Sequence, residues 1–418
     1  MTATAPPQTD ELQAAYRAAF TDWLACAAAG AGERAARAVR ASGEDLLADV
    51  AFAGTAGHVL DFDDTFSDGV AHVSAATAPA ALVVAAARGR SLQAALEAYA
   101  EGYEAMARVA AAGHPTLYDA GWHPTAVCGP VGAAVAAAVL LDLSPEQGET
   151  ALAIALLRAG GTRGAFGSDG KAIQVGLAAA AGVQGALLAR AGAVVDESAI
   201  HGPLGFSAVV GARWPEGGVG VRRPEAEAGG DRTATDDERG PAITRNWIKL
   251  HPSCLGTHSP IDAADAVRAA GAAPGAAEPV QVAVHPLARQ AAHLDLVDDG
   301  LAAKFSIPYC VAFTLQHGAP GREAFAAIDH DVRERSRTVT VTVDRALPEF
   351  GAVLSSGGRE LGRIECPRGA PGRPVTAAEL DAKVRALAGD RLDGVLADPE
   401  APAARALAAA GLSRAAAG

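Results

Sequence analysis

From residue 10 to about 212 the chain reads as successive helices whose apolar positions are filled mainly by alanine and glycine. ELQAAYRAAFTDWLACAAA and SLQAALEAYAEGYEAMARVAAA carry apolar residues at helical spacing. SPEQGETALAIALLRAG opens with Ser144 as an N-cap and Gln147 three residues on, the pattern of a capping box. KAIQVGLAAAAGVQGALLARAG is another long helix that ends at Gly192. Small residues at this density let helices pack closely, and aromatics make up only 5% of the chain. A mostly helical body follows. With 418 residues there is material for one large or two ordinary domains.

The texture changes after PEGGVGVRRPEAEAGGDRTATDDERGP (215–241), which is poor in apolar residues and reads as a linker or mobile loop. PVQVAVHP (279–286) and RTVTVTVD (337–344) alternate like strands. GAVLSSGGRELGRIEC (351–366) reads as two strands around a Ser-Gly-Gly turn. Helices are expected at 261–271 and 307–318, and TAAELDAKVRALAG with the alanine-rich tail returns to helix. The expected fold is therefore mainly α with an α+β second domain. Residues 1–247 form a large helical domain, 248–374 a smaller α/β lid, and 375–418 rejoin the first.

Several classes are disfavoured. A formal charge of −13 argues against nucleic acid, because phosphate binding needs a clustered basic surface. The N-terminus lacks a basic segment followed by an apolar one, so no secretory signal is expected. The longest apolar run, AVCGPVGAAVAAAVLL (126–141), contains Pro130 and is shorter than the roughly 20 residues of a membrane span; it reads as a buried core helix. Cys26, Cys128, Cys254, Cys310 and Cys366 form no CxxC pair, which fits reduced thiols in a cytoplasm and no zinc or iron–sulfur site. GAFGSDGKA (164–172) fails as a phosphate loop, with Ala165 in place of the first glycine and Ala172 in place of Ser or Thr.

The polar residues in apolar surroundings carry the functional signal. GHVLDFDDTFSDGVAHVS (57–74) gathers four aspartates and two histidines. His123 precedes a long apolar helix with Pro124 at its first position. Lys171 starts an almost wholly apolar helix, a costly place for an ammonium without a partner. Lys249 lies at the boundary between the two textures, and Tyr309 brings a phenol into an apolar helix. Together these suggest a pocket in which lysines hold substrate carboxylates and histidines move a proton near neutral pH. A solvated acidic loop is the bland rival.

LDFDDT followed by a histidine, GWHPTAVCGPVGAA, GSDGKAIQVGLAAAAG, KLHPSCLGTHSPIDAA and AKFSIPYCVAF, in this order, resemble the MmgE/PrpD family. That family includes 2-methylcitrate dehydratase, cis-aconitate decarboxylase and iminodisuccinate epimerase. The resemblance implies a homodimer with the active site between the domains and with neither metal nor organic cofactor. It places catalytic roles on Asp61, His72, His123, Lys171 and Lys249, and substrate contacts on Thr65, Cys254 and Tyr309. There are two departures. One extra residue separates Thr65 from His72 relative to the decarboxylase pattern, and Cys254 stands where the decarboxylase carries His and the dehydratase another polar residue. The expected activity is a cofactor-independent lyase, dehydratase-like, acting on a small polycarboxylate or β-hydroxy acid by α-proton abstraction. An epimerase that removes and returns the proton is the second reading, and a non-catalytic helical binding protein the third.

Overall fold

The computed structural model describes residues 9–215, 218–219 and 240–414. Most of the 215–241 segment read as a linker lies outside the described residues.

The first half is built from α1 (Thr9–Gly30), α2 (Arg34–Ala41), α3 (Leu46–His58), α4 (Val73–Ala87), α5 (Leu92–Gly113), the single turn α6 (Thr116–Asp119), α7 (Pro124–Leu140), α8 (Pro145–Leu156) and α9 (Asp169–Arg190). α8 starts with the expected capping box between Ser144 and Gln147, and α7 with Pro124 in its first turn. Helices α4 and α7 are apolar on nearly every side because each is surrounded by neighbours, whereas α9, also apolar, leaves Leu177 and Leu188 exposed. α7 packs against α4, α5, α8 and α9, and α9 also packs on α3. Among the described residues α9 is the one helix long and apolar enough to cross a membrane; here it serves as a core helix.

Glycine sets the closest of these crossings. A Cβ on Gly176 of α9 would lie 2.2 Å from the Ala51 carbonyl of α3, and one on Gly102 of α5 would lie 2.5 Å from the Gly132 carbonyl of α7. The first crossing has a functional consequence, since it brings the end of α3 beside the start of α9.

Two short helices follow, α10 (Ser198–His201) and α11 (Phe206–Val210). The chain then returns to the first half through a two-stranded antiparallel pair, β1 (Thr65–Phe66) with β2 (Asn246–Trp247), in which Thr65 faces Trp247. This pairing carries Lys249, two residues beyond β2, to the loop that holds Asp61.

A second hydrophobic core gathers around α12 (His258–Ala269), β3 (Val280–Val284), α13 (Pro286–Ala291), α14 (Gly300–Ala303), α15 (Ile307–His317), α16 (His330–Ser336), β4 (Val339–Val343), β5 (Ala352–Ser356) and β6 (Arg359–Ile364). The sheet order is β4-β3-β5-β6, parallel between β3 and β4 and antiparallel elsewhere. The β5–β6 hairpin turns at Gly357 and Gly358, both at positive φ (56° and 79°), as a two-residue turn of this hand requires. α12 and α15 pack against each other and against the strands. Finally α17 (Ala377–Ala388) packs on α1, and α18 (Ala403–Ala409) packs on α4. The protein is thus mainly helical with a small α+β part.

Candidate active site

Three long helices begin at one place. His72 is the N-cap of α4, His123 the N-cap of α7, and Lys171 lies in the first turn of α9, whose N-cap is Ser168. Helix N-termini carry partial positive charge, so their convergence favours an anion. The loop after α3 enters this space and carries Asp61.

Asp61 Oδ1 accepts from Lys249 Nζ at 2.7 Å and from Lys171 Nζ at 3.0 Å, and lies 3.7 Å from His72 Nε2. Burial alone would push this carboxyl up, but the two ammonium groups outweigh it and hold it well below the usual carboxylate range. Its other oxygen, Oδ2, has no partner among the described residues. The backbone at Asp61 is left-handed (φ 52°), which costs on the order of 1–2 kcal/mol for a non-glycine residue. Val70, in the turn leading to His72, shares this conformation (φ 48°) although β-branched residues avoid it most. Phe66 and Ala71 close that turn through paired backbone hydrogen bonds.

Asp63 organises two imidazoles. It accepts from His58 Nδ1 at 2.9 Å and from His72 Nδ1 at 3.0 Å, and all three side chains are buried. Those N–H bonds hold Asp63 ionised, well below its ordinary value despite burial. Burial pushes His72 down to about 3, helped by the nearby lysines and only partly opposed by Asp63. His72 is therefore neutral, with its proton on Nδ1 and a lone pair on Nε2. Thr65 Oγ1 sits 3.4 Å from His72 Nδ1, and Thr125 Oγ1 accepts the His72 backbone N–H at 3.0 Å.

His123 has the opposite tautomer. The Thr162 backbone N–H donates to Gln174 Oε1 at 3.0 Å, so the Gln174 amide nitrogen faces His123 Nδ1 and donates to it at 2.6 Å. The proton of this neutral ring must then sit on Nε2. Burial, with Lys171 and the other two imidazoles, holds His123 well below its ordinary value. Its ring stacks on His58 (centroids 5.9 Å, 26° between planes), and His58 in turn meets His72 edge-on at 4.5 Å.

A cavity of about 640 Å³ opens between the two cores, bordered by Arg34, Asp169, Leu301, Lys304 and Arg322. It adjoins an inner pocket of about 10 Å³, roughly one water, lined by His58, Asp61, Lys171 and Phe305. Lys171 also lies 5.6 Å from the ring centroids of Phe166 and Phe305.

Of the residues singled out in the sequence, Asp61, Thr65, His72, His123, Lys171 and Lys249 come together. Two roles need correction. Lys249 spends all three N–H groups within the protein, on Asp61 Oδ1, Asp61 O and Ser253 O (2.9 Å), so it has none left for a substrate carboxylate. Tyr309 does not reach the cluster. The phase of α15 turns it into the smaller core, where its hydroxyl accepts the Asp329 backbone N–H at 3.1 Å. Cys254 is buried near Asp61, and burial pushes its thiol up to about 11.

The sequence reading missed His58, Asp63, Gln174 and Lys304. Asp63 stands in the same motif as Asp61, and Lys304 in AKFSIPY is a lysine in apolar company, the signal that marked Lys171. His58, Asp63 and His72 also lie close enough to hold a metal ion. An ion bound there would displace both N–H bonds to Asp63 and with them the tautomer of His72.

The MmgE/PrpD N-terminal domain matches residues 45–215, and the MmgE/PrpD C-terminal domain matches residues 251–407. Human cis-aconitate decarboxylase is 32% identical over 160 residues, 37% of this chain and 33% of that protein. A cis-aconitate decarboxylase-like protein of Aspergillus oryzae is 33% identical over 180 residues, 40% of this chain and 34% of its own. Each match thus spans about a third of the curated relative's length. With both domains matched over most of its length, the chain belongs to the MmgE/PrpD family.

Proposed function

We propose that the chain is a lyase that removes the α-proton of a small polycarboxylate and expels a β-hydroxyl as water. The observation that carries this reading is the pair of oppositely protonated histidines beside the Lys171 ammonium. His72 offers a lone pair on Nε2, the form of a general base, and His123 offers Nε2–H, a hydrogen-bond donor for a departing oxygen. Lys171, bonded among the described residues only to Asp61, has N–H groups left for a substrate carboxylate. The three helix N-termini add to that attraction.

In this mechanism His72 Nε2 takes the α-proton, and the Asp63 carboxylate stabilises the imidazolium that forms. Negative charge that develops on the substrate carboxylate is met by Lys171. The C–O bond then breaks as the hydroxyl, held by the His123 Nε2–H, takes the proton that His72 carries and leaves as water, which returns both imidazoles to their neutral forms. Asp61 Oδ2, with no partner among the described residues, can accept a substrate O–H. The inner pocket is too small for a polycarboxylate, so the segment bearing Leu301 and Phe305 has to move aside as substrate enters from the larger cavity.

Family membership and the decarboxylase names of the two relatives support carboxylate chemistry. We also propose a homodimer: Leu177 and Leu188, three turns apart on α9, are 51% and 42% exposed beside Leu157 at 66%. The test of function is a thermal-shift screen of di- and tricarboxylates followed by proton NMR of each hit in D₂O. An alkene product supports the lyase. Deuterium wash-in with the product still a hydroxy or amino acid replaces it with an epimerase, and no binding by any carboxylate refutes both.

A further inference from the structure

Three lysines converge on the backbone carbonyls of three successive residues. Lys304 Nζ donates to Leu60 O, Lys249 Nζ to Asp61 O at 2.9 Å and Lys383 Nζ to Phe62 O at 2.6 Å. They come from separate parts of the chain: the end of α14, the segment after β2, and α17. All three are buried. The middle carbonyl belongs to Asp61, whose left-handed backbone takes this loop out of any regular ladder of hydrogen bonds.

A lysine buried only to satisfy a buried carboxylate would pair with one. Lys304 does not: its one hydrogen bond among the described residues is to Leu60 O, and it crosses from the smaller core to the larger to make it. Lys383 does pair with Asp22 at 2.5 Å, yet it also donates to Phe62 O and lies 4.0 Å from the centroid of the Phe62 ring. Neither touches the Asp61 carboxylate, the imidazoles or Lys171.

We propose that Lys304 and Lys383 are positioning residues, which with Lys249 clamp the 60–62 loop so that the Asp61 carboxylate is held between Lys171 and His72. Its kinetic consequence rests on the acid–base reading above; its structural consequence does not. Because Lys304 reaches across from the smaller core, the clamp is complete only when the two cores are together. Asp61 is thus set in place in the closed form of the site.

Two variants test this, Lys304→Met and Lys383→Met with Asp22→Asn, the second change preventing a stranded buried carboxylate. Asp22→Asn alone is the control and should keep near wild-type turnover. The clamp predicts at least a tenfold fall in kcat with KM within threefold for both test variants. It also predicts crystal structures in which Asp61 leaves its positive φ and its oxygen moves off Lys171. Should the double variant not fold, Lys304→Met alone decides. A kcat within twofold of wild type and an unmoved loop overturn the proposal, and so does a Lys304→Met variant that raises KM at unchanged kcat. If wild-type protein turns over no carboxylate, the functional reading fails, while the position of Asp61 in the variant structures still decides on the clamp.

Discussion

Separate replacement of Lys249 and Lys171 by methionine should divide stability from chemistry. Lys249 is fully buried and makes three hydrogen bonds, two of them to Asp61 and one to the Ser253 carbonyl. Its loss leaves the Asp61 carboxylate buried with Lys171 as its single close cation. Removing one partner of a buried pair costs about 3–5 kcal/mol. For a chain of this length, unfolding entropy is about 0.9 kcal/mol per degree, so the melting temperature should fall by roughly 5 °C. Lys171 makes one bond, at the edge of the inner pocket, and shares Asp61 Oδ1 with Lys249. Deleting it loses that bond but relieves repulsion between two ammonium groups on one oxygen, so stability should fall by at most about 1.5 kcal/mol. Its catalytic cost should be larger, about 10²–10³-fold in kcat/KM, the worth of a donor aimed at developing charge. Thermal melts and steady-state kinetics on both variants read the asymmetry. Equal losses of melting temperature, or a Lys171→Met variant with more than a tenth of wild-type kcat/KM, would refute the division of roles.

Acid should destabilise the fold well above the carboxylate range. Burial holds His72 at about 3 and His123 and His258 well below their ordinary values, so between those values and about 6.5 the unfolded chain binds protons that the native state refuses. The histidines then lower stability as pH drops, by roughly 1.4 kcal/mol each at pH 5.5, and the raised Asp22 and Asp64 carboxyls, which bind protons in the native state, offset part of that loss. Urea unfolding at pH 7.5 and 5.5 in an Asp64→Asn background, which removes the main opposing carboxyl, checks this, and matching midpoints there would contradict buried neutral imidazoles. Cys254 should make the protein a poor cis-aconitate decarboxylase despite its relatives' names, since a thiol at about 11 is neutral and a weak donor; rapid itaconate formation from cis-aconitate by NMR would reverse that reading. Exhaustive EDTA treatment should leave turnover unchanged, whereas loss restored by zinc or iron would assign a metal to His58, Asp63 and His72.

Much of this architecture was legible because it depends on local rules. Helical spacing, the Ser144 cap and Pro124 mark helix starts that need no knowledge of neighbours. His123 and Lys171 were found by the same logic, as polar residues at the first turn of apolar helices. What escaped depends on long-range geometry. Asp63 and His58 are five residues apart and meet only because Asp61 adopts a left-handed conformation between them. Gln174 matters through the backbone of Thr162, twelve residues away. Tyr309 was misplaced because the sequence shows an apolar helix but not which neighbour claims each face of it.

The aspartate cluster shows how far one residue type can diverge within a few positions. Asp61 is ionised because two lysines share it, and Asp63 because two imidazoles donate to it. Asp64, one residue further, has no ion pair among the described residues, and burial and the nearby Asp22 push it well above its ordinary value. It accepts the Ser74 hydroxyl. Asp68 pairs with Arg245 at 2.8 Å, toward the surface. Composition counts four equal negative charges in this stretch, yet the fold retains only two in the site, each with its own pair of partners. The proton-transfer and solvated-loop readings of such a cluster therefore differ less in which residues it contains than in what each carboxylate is paired with. In the proposed lyase the base and the hydrogen-bond donor are set in this way, with Asp63 holding a proton on Nδ1 of His72 and Gln174 leaving one on Nε2 of His123.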